Sequence, residues 1–190
     1  MIMRRRTRRL LIMLLTALLT AALGYLSEYD TDFQRRAVEL SPGSYRVTSF
    51  QDGDTIRVAM DGQEETVRFI GVDTPETQDP RKPVQCFGKS ASDFTKQLIG
   101  DQPVRLETDP LSQNRDRYDR LLRYAYLPDG RLVQAEIIRQ GYGFAYTSFP
   151  FTKSEEFTVL QRQAREQSRG LWTECDPSEN QYGGYTSSNE

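Results

Sequence analysis

The chain has 190 residues, with 25 Lys+Arg against 27 Asp+Glu, two cysteines and no histidine. The missing histidine excludes a histidine general base, Ser/His and Cys/His triads and His-ligated zinc, and two cysteines cannot fill a four-thiolate site. Chemistry in this chain therefore runs on carboxylates, arginines or hydroxyls.

In chain order, the first feature is a basic cluster of Arg4, Arg5, Arg6, Arg8 and Arg9, followed by an uncharged apolar run over residues 10–26. Its 17 residues reach the lower limit for a spanning helix. They also suit the apolar region of a signal peptide, with Ala22, Leu23 and Gly24 at cleavage-like spacing. Residues 1–26 are expected to be a signal peptide or a signal anchor, a transmembrane helix with its N-terminus cytoplasmic. By the positive-inside rule, either one exports the rest of the chain to the periplasm or the cell exterior. The exported residues 28–190 keep 20 of the 25 basic groups and all 27 acidic ones. So acidic a segment repels polyanions overall, and a phosphate ligand has to be held by local geometry or by a bound cation.

Residues 27–43 are polar, end in Pro42-Gly43, and read as a linker. From Tyr45 the apolar period becomes two, in YRVTSF, TIRVAM and ETVRFIGV, with Asp61-Gly62 as a hairpin signal between the second and third. Residues 77–86 carry two prolines and read as irregular. Ala91, Phe94 and Leu98 then mark the core stripe of a helix ending near Gly100. Residues 103–108 and 121–127 read as two more strands. Val133, Ile137 and Ile138 suggest a short helix closed by Gly141. Thr152-Lys153-Ser154-Glu155 has the form of a capping box opening a last helix that runs to Gly170. The tail after Cys175, residues 176–190, is poor in apolar groups and is expected to be disordered. An even cysteine count in an exported chain favours a disulfide between Cys86 and Cys175, which closes a long loop worth roughly 3–5 kcal/mol. The pattern as a whole is α+β, a five-stranded oligonucleotide-binding (OB-fold) β-barrel with three attached helices, preceded by an N-terminal hydrophobic helix.

Three clusters put acids and arginines where a core would not choose them. Asp52-Gly53-Asp54-Thr55 sits at the turn between the first two strands. In residues 68–77, RFIGVDTPET, Arg68 shares a strand face with Ile70 and Val72 and so needs an anion, while Pro75 stops the strand beside Asp73, Thr74 and Glu76. Asp116-Arg117-Tyr118-Asp119-Arg120 leads into the fifth strand. With F-G-K-S-A-S at 87–92, R-Q-G at 139–141 and R-G-L-W at 169–172, this ordered set resembles the staphylococcal nuclease-like, or thermonuclease, family over residues 44–175.

The resemblance implies calcium-dependent hydrolysis of DNA and RNA phosphodiesters leaving 3′-phosphates. It makes Asp54, Asp73 and the Thr74 main-chain carbonyl the Ca²⁺ ligands and Arg68, Glu76 and Arg120 the catalytic trio. Tyr118 and Tyr146 become candidates for substrate contact. Oxygen donors of this kind suit a hard cation, and two guanidinium forks suit a phosphorus centre gaining negative charge. Asp119 stands where the family usually has Gly, and Ser90 where a Glu is common. The chain is expected to act as a monomer, with nucleic acid as its partner and with the membrane through residues 10–26 if the leader stays. Competing readings are a non-catalytic nucleic-acid-binding barrel, which would lack one of the five charged site residues, and a calcium-binding module tethered to the membrane.

Overall fold

The computed structural model describes residues 13–25, 43–77, 84–180 and 184–188. The chain divides into two units, Met1–Leu40 and Ser41–Glu190. In the first, helix α1 runs over 13–25. Among the described residues no helix is long and apolar enough to cross a membrane. The basic cluster, the two ends of the apolar run (10–12 and 26) and the linker up to residue 42 lie outside the described residues.

The second unit contains, in order, β1 (Ser44–Phe50), β2 (Thr55–Met60), β3 (Gln63–Phe69), β4 (Val72–Asp73), α2 (Gly88–Ile99), β5 (Val104–Glu107), β6 (Leu121–Tyr126) and α3 (Val133–Arg139). There follow β7 (Phe144–Ala145), α4 (Ser154–Glu166), the single turn α5 (Leu171–Glu174), β8 (Ser178–Glu179) and β9 (Tyr185–Thr186). Five strands close into a barrel in the order β1-β2-β3-β6-β5, antiparallel throughout except for the parallel pair β3–β6. This is the OB-fold barrel read from the period-two pattern.

Alternation builds the core: Ile56 and Val58 on β2 and Val67 and Phe69 on β3 are buried, with Arg57 between the first pair exposed. Asp61 and Gly62, both at positive φ, form the tight β2–β3 turn with Met60 opposite Gln63. Helices α3 and α4 cover the barrel with Ile137, Ile138, Phe157 and Leu160. A smaller cluster gathers Phe144, Leu171 and Cys175, with Phe87, Trp172 and Tyr185 against them.

The structure departs from the expected elements in three places. The strand read as continuing to Val72 stops at Phe69, because Gly71 turns the chain at φ 73° and Val72–Asp73 pairs with Phe144–Ala145 instead. A Cβ at Gly71 would come within 2.6 Å of the Phe151 ring, so only glycine lets this turn pack. The capping box does not form: Lys153 occupies the N-cap of α4 without a side-chain cap, and the Thr152 hydroxyl donates to Asp109. The tail expected to be disordered holds β8 and β9, and Ser187 is only 4% exposed. Cys86 and Cys175 are joined in a disulfide with Cα atoms 5.7 Å apart.

Candidate active site

One rim of the barrel carries a cleft of about 810 Å³ lined by Asp52, Asp54, Arg68, Asp73, Thr74, Pro75, Glu76, Arg117, Tyr118, Arg120 and Tyr146. The eight non-cysteine residues expected at a site are all among them, although they come from four separate stretches of chain. The barrel register brings them together. Thr55 at the start of β2 pairs with Arg68 near the end of β3, and Arg68 pairs with Leu122 on β6, two residues after Arg120.

Arg68 is the hub. Its Nη1 donates to the Val72 carbonyl at 2.6 Å and the Phe69 carbonyl at 3.1 Å, which the chain reversal at Gly71 turns toward it. Its Nη2 lies 3.0 Å from Asp54 Oδ2 and 2.9 Å from Asp73 Oδ1. Burial works to lower the guanidinium pKa, but Asp54, Asp73 and Asp52 outweigh it and the net shift is upward. The anion that the sequence pattern demanded for Arg68 is thus a pair of carboxylates.

Asp54 is itself fixed on every side. Thr55 Oγ1 donates to its Oδ1 at 2.9 Å and the Thr74 N–H to its Oδ2 at 3.0 Å. Helix α2 braces the same turn through Thr95 Oγ1, which donates to the Gly53 carbonyl at 2.7 Å. Asp52 accepts from the Asp54 N–H at 3.0 Å. Burial, and then the nearby charge of Asp54, push the Asp52 carboxyl up to about 8, against a partial offset from Arg68.

Across the cleft, Asp116 holds Arg120: its Oδ2 accepts from Arg120 Nε and Nη2 at 2.7 Å, and its Oδ1 from the Arg120 N–H at 3.0 Å. Burial acts to raise the Asp116 pKa, and the bonds from Arg120 and Tyr118 reverse that into a lowering. The Tyr118 ring is covered by Arg117 at 4.7 Å and Arg120 at 5.4 Å. Asp119 points away from the cleft, 88% exposed and 3.6 Å from Arg115 Nε, at φ 65°, a backbone angle that glycine adopts most readily. Ser90 is exposed on α2. A second depression of about 650 Å³ opens off the Arg68, Arg120 and Tyr146 side, where Leu111 and Phe149 are exposed.

The donors for a cation are carboxylate and carbonyl oxygens, the set a hard ion takes. Among the described residues no three acidic or thiol side chains form a ready cage. The acids at 52, 54 and 73 line the cleft together with Thr74. Their oxygens belong to the donor class of a hard divalent cation, which would draw its remaining ligands from solvent and substrate. Asp52 and Arg117 were not singled out from the sequence, although both lie inside motifs that were. What marks them is convergence on the cleft, which a linear pattern does not carry.

A family model described as Staphylococcal nuclease homologue matches residues 66–174. The chain is 35% identical over 164 residues to a thermonuclease of Staphylococcus hyicus, covering 86% of this chain and 95% of that protein. It is 37% identical over 147 residues to a thermonuclease of Staphylococcus intermedius, 75% of this chain and 84% of the relative. It is 39% identical over 124 residues to Endonuclease YncB of Bacillus subtilis (strain 168), 64% of this chain and 58% of that one. With a barrel whose rim gathers the motif residues into one cleft, and with matches of this extent, the chain belongs to the staphylococcal nuclease homologue family.

Proposed function

We propose that this chain, a nuclease of that family, is exported and hydrolyses DNA and RNA phosphodiester bonds with the help of Ca²⁺. One observation carries the reading: Arg68, Glu76 and Arg120, from two separate stretches of chain, line the same cleft as Asp54 and Asp73. Asp54, Asp73 and the Thr74 carbonyl would hold the ion, with Asp52 beside them. When bound, the ion supplies positive charge to a phosphate oxygen in a domain that is otherwise acidic.

The remaining work falls to side chains. Arg68 and Arg120 are each held by carboxylates before substrate arrives, so their positive charge is already in place where negative charge grows on the phosphate oxygens. Glu76 orients the attacking water or takes its proton; the P–O bond opposite the entering oxygen breaks and the departing oxygen is protonated. Tyr118 lines the cleft with its ring under Arg117 and Arg120, while Tyr146, with Leu111 and Phe149, offers apolar surface against which a nucleobase can pack. Export is supported by the five arginines ahead of the apolar run.

Plasmid DNA and single-stranded RNA, each incubated with the full-length chain in Ca²⁺ and again in excess chelator, test the reading. Both are degraded with Ca²⁺ and intact with chelator if it holds. Retention of the nucleic acid without cleavage in both conditions would instead support the binding-module reading, and neither binding nor cleavage would support the tethered calcium module.

A further inference from the structure

Glu76 lies beyond β4, on backbone that belongs to no helix or strand. Gln85 holds it there. The Glu76 N–H donates to Gln85 Oε1 at 2.8 Å, and the Gln85 N–H donates to the Glu76 carbonyl at 3.0 Å. One residue thus satisfies both main-chain polar groups of Glu76. Gly88 also packs close to this backbone, since a Cβ there would stand 2.9 Å from the Glu76 carbonyl oxygen and 3.2 Å from that of Pro75.

Gln85 is in turn secured by the chain's C-terminal strap. Its neighbour Cys86 carries the disulfide to Cys175. The Cys86 N–H donates to the Ser188 carbonyl at 2.8 Å, and Ser187 Oγ donates to the Cys86 carbonyl at 2.8 Å. Ser188 Oγ donates to the Cys175 carbonyl at 2.9 Å, and Gln85 Nε2 reaches Thr186 Oγ1 at 3.4 Å. Neither Gln85 nor any residue of the strap lines the cleft. Arg68, Asp54 and Arg120 are positioned by the barrel and α2, through bonds that do not involve the strap.

We propose that Gln85 is a positioning residue for Glu76, and that the Cys86–Cys175 disulfide and the 185–188 strap keep Gln85 in place, so that turnover, but not substrate binding, depends on the oxidised pair. The inference rests on the proposed action of Glu76 on the attacking water. A displacement of that carboxylate by about 1 Å costs roughly 10²-fold in rate, while the groups that grip phosphate stay where they are. The reduced chain is therefore a poor nuclease. Exchange with an external disulfide turns it on: Cys86 and Cys175 join, and their two protons and two electrons pass to that disulfide, which leaves as two thiols. For an exported nuclease this links activity to arrival in an oxidising compartment.

The test compares the full-length wild type, Gln85→Met, Cys86→Ser/Cys175→Ser and Glu76→Gln. Gln85→Met keeps the side-chain length and removes the acceptor for the Glu76 N–H. Each is measured for kcat and KM on single-stranded DNA, for affinity toward a phosphorothioate-linked oligonucleotide, and for thermal unfolding. Gln85→Met, the double serine variant and wild type reduced with dithiothreitol should lose roughly 10–10²-fold in kcat per binding-competent molecule, with KM and oligonucleotide affinity within about twofold. Wild-type kcat in Gln85→Met, with Glu76→Gln inactive, would overturn this inference alone. So would loss of affinity in parallel with kcat, which marks general loosening of the fold. A fully active Glu76→Gln would remove the proposed role of Glu76 and this inference with it.

Discussion

Arg68 and Arg120 are each bound before substrate arrives, and their bonds are specific to a planar fork. Arg68 meets two carbonyls with one nitrogen and two carboxylates with the other, a set that an ammonium cannot reproduce. Arg68→Lys should therefore fold but lose roughly 10² or more in kcat, the scale of removing one preorganised donor, as read by steady-state cleavage of DNA. Glu76→Gln should fold and bind oligonucleotide while cleaving at a similarly reduced rate. Asp119, beside Arg120, should behave in the opposite way. Its carboxylate faces Arg115 and solvent, so Asp119→Gly should leave kcat within about twofold of wild type. Charged motifs at 52–55, 68–77 and 116–120 are legible residue by residue because their composition defies the strand pattern around them. The raised pKa of Asp52 is not legible, because it comes from burial beside Asp54, and burial is a property of the fold.

Among the secondary-structure elements, Asp109 joins the segment after β5 to β6 and to the entry of α4. Its Oδ2 accepts from Tyr124 Oη at 2.7 Å, the Thr152 N–H at 2.8 Å and the Thr152 hydroxyl, and its Oδ1 from the Leu111 N–H at 2.8 Å. Burial alone would raise its pKa; the bonds from Thr152, Tyr124 and Leu111 outweigh that and lower it to about 2. Because the folded value is depressed, its stabilising contribution is complete above the ordinary value of 3.8 and disappears as pH falls from there through 2. Asp109→Asn should be less stable than wild type at pH 7 by about 2 kcal/mol, with the gap closing toward pH 2, as measured by urea unfolding across that range. The same contact explains the misread start of α4. Thr152 has the residue type and spacing of a cap, but a carboxylate 43 residues away offers its hydroxyl a charged acceptor. Gly71 teaches the same lesson for β3, since the lack of a side chain at its turn is required by the Phe151 ring, which no local pattern connects to it. Gly71→Ala should cost roughly 1–3 kcal/mol by thermal or urea unfolding, through both the positive φ and the overlap.

At the scale of the whole molecule, the disulfide and the strap tie the end of the chain to the segment beside Glu76. Loss of the crosslink in Cys86→Ser/Cys175→Ser should lower unfolding free energy by about 3–5 kcal/mol in denaturant titrations, as expected for closing a loop with a sequence separation of 89. The five barrel strands, the helices that cover them, the charged motif residues and the pairing of two cysteines could be read along the chain. These follow from period, turn chemistry and residue type, which are local or countable. Convergence of four segments on one rim, the clamp of Gln85 on Glu76 and the order in the polar tail were settled only by tertiary structure. The tail has almost no apolar pattern of its own; its backbone groups gain their partners from Cys86 and Cys175, which the disulfide holds together. Order that depends on hydrogen bonds to distant backbone leaves no periodic trace in sequence, whereas burial of alternating side chains does.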